Sequence, residues 1–304
     1  MAIGPSKQSP ISTPQAMAHK RSRPNLAIII VPVVLMAITF LFWYQTWFGG
    51  RLSNQEMAEY LADTSVPHKT QHALAQMADR ITRGDESAKQ WYPQLLALAR
   101  SPQPQFRLTA AWVMGQDNRS AGFCAALREL LKDPEPAVRL NAALALVRFA
   151  DATGEPELRQ GLQPYTLRAT QAGTVKFLMK KGDAVSPSSV VARIKSASGV
   201  SEDVSAPFVG EIKDLMLPDG ASVNRGAALV VLSPGMQQAW ESLRGLYFVG
   251  KAEDVGEIEA FVRNTPQLPD RVKQQAQITA QAMRTRRPLQ PPALAADAPG
   301  PATR

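Results

Sequence analysis

The sequence predicts an α+β protein: an N-terminal transmembrane helix, an array of helical repeats, and a β module inserted before a last group of helices. Three observations predict it. An apolar run without formal charge covers residues 26–48, a proline- and alanine-rich pattern recurs at a spacing of 32 residues, and a glycine-punctuated β pattern is duplicated 37 to 38 residues apart. The bulk composition agrees. A chain of 304 residues is long enough for two domains, and 45% apolar content suits a globular chain rather than a disordered or polytopic one.

The anchor comes first. The 23 residues from Leu26 to Phe48 reach about 34 Å as a helix, enough to cross a hydrocarbon core with some tilt. Trp43, Tyr44 and Trp47 gather at one end, as an interfacial aromatic belt does, and Lys20, Arg21 and Arg23 flank the other. Residues 1–25 hold basic residues and no acid, whereas Glu56, Glu59 and Asp63 follow the run. The positive-inside rule then places the N-terminus in the cytoplasm and the body outside it. Gly49-Gly50-Arg51-Leu52-Ser53 makes a poor signal-peptidase site, so an uncleaved anchor is expected. Residues 1–25 and the proline-rich stretch 288–304 read as disordered tails.

The net charge of +8 does not point to nucleic acid. The basic residues are scattered, and the main clusters are Lys20–Arg21–Arg23, beside the anchor, and Arg284–Arg286–Arg287. The single cysteine, Cys124, excludes an intrachain disulfide, a CxxC zinc pair and a haem attachment; among apolar neighbours it reads as a small core residue.

Helical repeats are expected over residues 55–160. Ser101-Pro-Gln-Pro-Gln-Phe-Arg-Leu-Thr-Ala-Ala111 and Asp133-Pro-Glu-Pro-Ala-Val-Arg-Leu-Asn-Ala-Ala143 share the pattern [S/D]-P-x-P-x-apolar-R-L-x-A-A. Each proline pair ends one helix and opens the next, and the alanines let helices approach closely. Another helix lies between the copies, near residues 121–131, so each period holds two helices, a solenoid signal. Helices near residues 70–81 and 86–100 are expected to form a degenerate first unit. Arg107 and Arg139, at the shared arginine position, are expected to make structural hydrogen bonds. The string D-P-x-x-x-V-R-x-x-A-A-x-A-L at 133–146 resembles HEAT repeats.

From residue 165 to 233 the pattern alternates and becomes β-branched. Gly173-Thr-Val-Lys-Phe-Leu-Met-Lys-Lys-Gly-Asp-Ala-Val185 is echoed by Gly210-Glu-Ile-Lys-Asp-Leu-Met-Leu-Pro-Asp-Gly-Ala-Ser-Val223. The opening glycines are 37 apart and the later valines 38, which predicts one extra residue in the second turn. Each half reads strand, turn, strand, and two interlocked halves can cover each other's apolar faces.

This duplication, with Ala206-Pro207-x-x-Gly210 opening its second half, resembles the biotinyl/lipoyl-like barrel-sandwich hybrid. The resemblance implies one of two uses. In carriers a lysine between the halves bears biotin or lipoate, four residues after the strand-ending aliphatic. Here that position, four after Ile194, is Ser198, and the linker from Lys195 to Asp203 lacks the carrier motif. Membrane-fusion (periplasmic adaptor) proteins use the module unmodified behind an N-terminal anchor. They place a long helical hairpin between the halves and a β-barrel afterwards, whereas here the connection is short and helix returns over 237–287.

Elsewhere no nucleophile motif, P-loop or dinucleotide fingerprint is present. His68 and His72 have helical i, i+4 spacing but no evident third ligand. We therefore expect no catalytic residue, cofactor or metal, and a scaffold or adaptor at a bacterial inner membrane. That localisation, with the body periplasmic, follows from the resemblance. The expected partners are the lipid bilayer and other membrane or periplasmic proteins, with no nucleic acid. Two alternatives stand beside it: an accessory or assembly subunit of a respiratory or redox complex, and a divergent adaptor of an efflux or secretion system.

Overall fold

The structure is a computed structural model that describes residues 35, 36, 39, 50–265 and 267–286. Leu35, Met36 and Thr39 are helical. The rest of the expected anchor lies outside the described residues, as do both expected tails. Among the described residues no helix is long and apolar enough to cross a membrane.

From Leu52 onward the helices run α1 (Asn54–Ala62), α2 (Pro67–Thr82), α3 (Tyr92–Leu98), α4 (Pro104–Met114), α5 (Ala121–Leu130), α6 (Pro136–Arg148) and α7 (Glu155–Gln160). After the strands come α8 (Met236–Val249), α9 (Val255–Asn264) and α10 (Asp270–Thr285). Helices α2, α4, α6, α8 and α10 pack side by side in that order, and each lies against the short helix before it. The result is a row of helix pairs, α1/α2 to α9/α10. Pro104 and Pro136 sit in the first turns of α4 and α6, where a missing N–H costs nothing. The repeat alanines Ala110, Ala111, Ala142 and Ala143 are fully buried. At Gly115 an added Cβ would lie 2.9 Å from Ala145 Cβ, so small residues set the distance between the α4 and α6 units.

One expectation changes here. Residues 86–98 do not close the first pair; they are the opening helix of the second, a 3-10 turn over Glu86–Trp91 running into α3, where Pro93 starts a fresh helical turn. The partner of α2 is α1, which the periodicity did not reveal. A capping box announces it, in which the Ser53 hydroxyl accepts from Glu56 N–H while the Glu56 carboxylate accepts from Ser53 N–H.

Between α7 and α8 the chain forms eight strands: β1 (Tyr165–Arg168), β2 (Gly173–Phe177), β3 (Ala184–Val185), β4 (Val190–Lys195), β5 (Ser201–Ser205), β6 (Gly210–Leu215), β7 (Ser222–Val223) and β8 (Ala228–Pro234). They make two antiparallel sheets, β1-β8-β6-β3 and β5-β4-β2-β7. The halves interlock. Short β3 of the first half pairs with β6 of the second, and β7 of the second pairs with β2 of the first. Equivalent bonds tie the exchange: Gly182 N–H donates to Ile212 O at 2.8 Å, and Gly220 N–H donates to Val175 O at 2.9 Å. The buried faces, with Val175, Ile194, Ile212 and Leu232 fully enclosed, make a core separate from that of the helices.

The extra residue of the second half is not in its turn. In the first half β2 and β4 keep one register from Thr174↔Lys195 to Phe177↔Ala192. In the second the register shifts between Ile212 and Asp214. Lys213 is thus a β-bulge, which absorbs one residue while leaving the alternation of buried residues intact on either side.

Candidate interaction site: a sandwich displayed by a helical array

The arginine of the repeat pattern builds the array rather than a ligand site. Arg107 donates to both oxygens of Asp133 at 2.6 and 2.8 Å, and its third arm donates to the carbonyls of Ser101 and Pro102 at 2.9 and 3.1 Å. Arg139 repeats this one unit later, donating to Glu157 at 3.1 Å and to the carbonyls of Asp133 and Pro134 at 2.9 and 3.2 Å. Each arginine thus clamps the turn before its own helix and reaches a carboxylate of the next unit. Asp133 Oδ1 also accepts from Glu135 N–H at 2.9 Å, as Ser101 Oγ accepts from Gln103 N–H at 3.2 Å, which explains why Ser or Asp opens the pattern. Burial alone would raise the Asp133 pKa, but the Arg107 hydrogen bonds, the Glu135 N–H and the nearby guanidinium charges hold it below the usual value.

A second charged cluster, not foreseen from sequence, joins α7 to the α9/α10 pair. Arg159 stands 2.5 Å from both Glu155 and Glu257 and 3.4 Å from Asp254. The Glu155 and Asp254 side chains are only 4% and 9% exposed. Burial raises the Glu155 pKa, and the adjacent Asp254 charge raises it further, although Arg159 opposes both. A raised carboxyl favours the folded state most at low pH, and that contribution fades as pH rises through its folded pKa. The cluster is wedged into a packing seam and reads as a structural clasp.

Cys124 is half-buried and packs against the edge of the helical core. Its thiol lies 3.5 Å from Asp151 Oδ2, and burial pushes its pKa up. His72 contacts Gln76 at 2.9 Å, and His68 is exposed. Among the described residues no group of three His, Cys, Asp or Glu side chains could hold a metal. The expected membrane-interface residues Lys20, Arg21, Arg23, Trp43, Tyr44 and Trp47 lie outside the described residues.

The sandwich is inserted inside a helix pair. Helices α7 and α8 pack directly on one another although the whole β module separates them in sequence. An added Cβ at Gly161 would collide with Ser242 Oγ of α8, and Gln238 Nε2 donates to Gly161 O at 3.5 Å. The chain therefore leaves and re-enters the array at nearly one place. Beside that place Tyr165 and Phe208 meet edge to face at 5.3 Å, next to Arg139 and Glu157 of the array.

The hairpin between β4 and β5 points the other way. Strand β8 starts close to Val223, which pairs with Gly173 beside the Thr174–Lys195 pair, and ends at Pro234 beside the array. The β4–β5 tip thus lies at the opposite end of a seven-residue strand, on the order of 20 Å away. It is a tight turn in which Ser196 N–H donates to Val200 O at 2.8 Å and Gly199 takes φ +85°. Val200 is 61% exposed.

Comparisons with known proteins agree with this division. A family model of HEAT repeats matches residues 92–191, and one described as biotin-requiring enzyme matches residues 166–232. The chain combines HEAT repeats with a biotinyl/lipoyl-like module. The two matches overlap over 166–191, and the structure gives that stretch to the sandwich, because the helices before it stop at Gln160. No curated protein matches the sequence. Among solved structures a single-chain, multi-domain long-chain acyl-CoA carboxylase is similar at 19% identity, over 32% of this chain and 10% of that one. Its TM-score is 0.23.

The biotinyl/lipoyl family implies a carried prosthetic group, and the hairpin does not fit one. Such a group needs a lysine amine at the projecting tip, and the tip here is Ser196-Ala197-Ser198-Gly199-Val200. Lys195 is the last residue of β4, paired with Ser201 and Thr174, and so belongs to the sheet rather than the turn.

Proposed function

We propose that this chain is a membrane-anchored, non-catalytic adaptor. Its helical array and projecting sandwich would hold another membrane or extracytoplasmic protein close to the bilayer. The observation that carries the reading is the β4–β5 hairpin, displayed as a carrier would display it but with no lysine at its tip. A module kept in shape yet lacking its attachment point is suited to binding. The array supports this, since its repeat-pattern arginines and its buried carboxylates are used to join helix pairs. The uncharged run over residues 26–48 supplies the anchor, and the charge asymmetry around it favours an extracytoplasmic body at a bacterial inner membrane.

The test is purification of the full chain from membranes in mild detergent, followed by intact mass measurement. The expected result is a stoichiometric protein partner and an unmodified chain. Recovery of the chain alone under several detergents, or a mass increase matching a biotinyl or lipoyl group, would contradict the reading. Co-purifying oxidase or reductase subunits would specify a respiratory assembly role, and a transporter with its outer-membrane channel would specify a transport role.

A further inference from the structure

The helical layer has one face that gathers exposed aromatic and cationic groups around a concavity. Between α4, α6 and α8 lies an open cavity of about 470 Å³ with Gly115, Ala145 and Gly245 among its lining residues. Trp112 from α4 and Phe248 from α8 line it and are 49% and 64% exposed. Large aromatic side chains left in water around a concavity mark a surface that gains by being covered.

Some arginines of the array are held by carboxylates, and others, Arg80, Arg100 and Arg119 among them, are not. Arg107, Arg128, Arg139, Arg159 and Arg284 each meet a carboxylate. Arg148, Arg244 and Arg271 form no ion pair among the described residues. Arg148 donates to Gln116 Oε1 at 3.0 Å, and Arg244 lies 4.7 Å from the Trp240 ring centre. Arg271 lies 5.7 Å from the same ring and donates to Gln237 Oε1 at 3.2 Å. The stripe therefore alternates aromatic rings with arginines that can still accept carboxylates. Glu241 also lines the cavity, so the arginines form separate cationic points rather than an unbroken cationic surface.

We infer that this face binds an acidic peptide segment of a partner protein, with an apolar side chain seated between Trp112 and Phe248 and carboxylates on Arg148 and Arg244. The inference rests on the adaptor reading and gives it a docking surface. Aromatic and arginine side chains at the centre of a concave site are the groups that dominate protein recognition, and guanidinium–carboxylate pairing adds direction.

The probe is a short fluorescein-labelled peptide alternating Glu with Leu and Phe, titrated against the full chain in neutral detergent and read by anisotropy. Saturable binding is expected, weakened by about tenfold or more both in the double variant Arg148→Glu/Arg244→Glu and in Trp112→Ala/Phe248→Ala. Far-UV circular dichroism checks that these surface variants stay helical. If charge reversal costs helix, Arg148→Gln/Arg244→Gln replaces it under the same threshold. Binding unchanged by the variants would overturn the inference. So would equal, variant-sensitive binding of the peptide with Ser for Leu and Phe, of oligothymidylate, or of phosphatidylglycerol vesicles. A protein partner retained equally by wild type and double variant would also overturn this site while leaving the adaptor reading intact.

Discussion

Asp133→Ala should lower the unfolding free energy of the helical array by about 3–5 kcal/mol, the usual cost of stripping one partner from a buried ion pair. The Asp133 and Arg107 side chains are only 5% and 12% exposed. The substitution leaves the Arg107 guanidinium facing an empty carboxylate position, and it also removes the acceptor for Glu135 N–H at the entry to α6. Both losses fall on the joint between two units, where each helix pair depends on its neighbours. The pH dependence has a fixed sign. The Asp133 pKa is held down, so its contribution is present above the unfolded carboxylate pKa and is lost as pH falls through the folded value. Urea unfolding curves of wild type and variant should therefore converge in acid. Glu129→Ala is the control, because the Glu129–Lys132 pair is about three-quarters exposed on both sides and its loss should not move the midpoint measurably.

Leu158→Ala should cost about 2–5 kcal/mol through the cavity it opens. Leu158 is fully buried in α7 and packs over Gly245 of α8, where an added Cβ would lie 2.9 Å from Leu158 Cδ1. This contact closes the helix pair across the inserted sandwich. Gly245→Ala in the Leu158→Ala background should recover part of the loss, because the new methyl group enters the space Leu158 vacates. A double-mutant cycle by urea unfolding should return a coupling of about 1 kcal/mol or more. Strict additivity would mean that α7 and α8 do not form this seam.

The repeats were legible because their signals are local. Proline at a first helical turn, a side-chain acceptor two residues before an N–H, and paired alanines all act within one helix and its entry. The sandwich was legible for a similar reason, since period-two burial and Gly-Asp turns recur in both halves. What sequence missed depends on contacts between distant segments. The bulge at Lys213 is visible only once β6 is laid against β8, and a spacing difference alone could not distinguish strand from turn. The expected pairing of residues 86–98 differs from the structure by one helix, because α1 is short, buries only Met57 and Leu61, and carries little periodic signal.

The arginine–aromatic stripe was hidden for another reason. Ala110-Ala111-Trp112-Val113-Met114 is apolar throughout, so periodicity does not say which residue faces out; packing of α4 between α2 and α6 leaves Trp112 at the surface. Glu155 and Asp254 were separable from ordinary helix-start acids only by their burial, which a spacing of almost a hundred residues conceals.

One continuous helical array carries the sandwich as an insertion within the α7/α8 pair. The most direct measurement is urea unfolding of the chain with residues 165–234 replaced by a short Gly-Ser linker. The ends already meet at Gly161 and α8, and closing them with a short connection should carry little entropic penalty. The predicted result is retained helical circular dichroism and cooperative unfolding, with the array shifted by no more than about 2 kcal/mol for the lost contacts at Tyr165 and Phe208. Loss of α8–α10 as a cooperative part of the array would contradict the claim, because those helices would then depend on the sandwich rather than on α6 and α7.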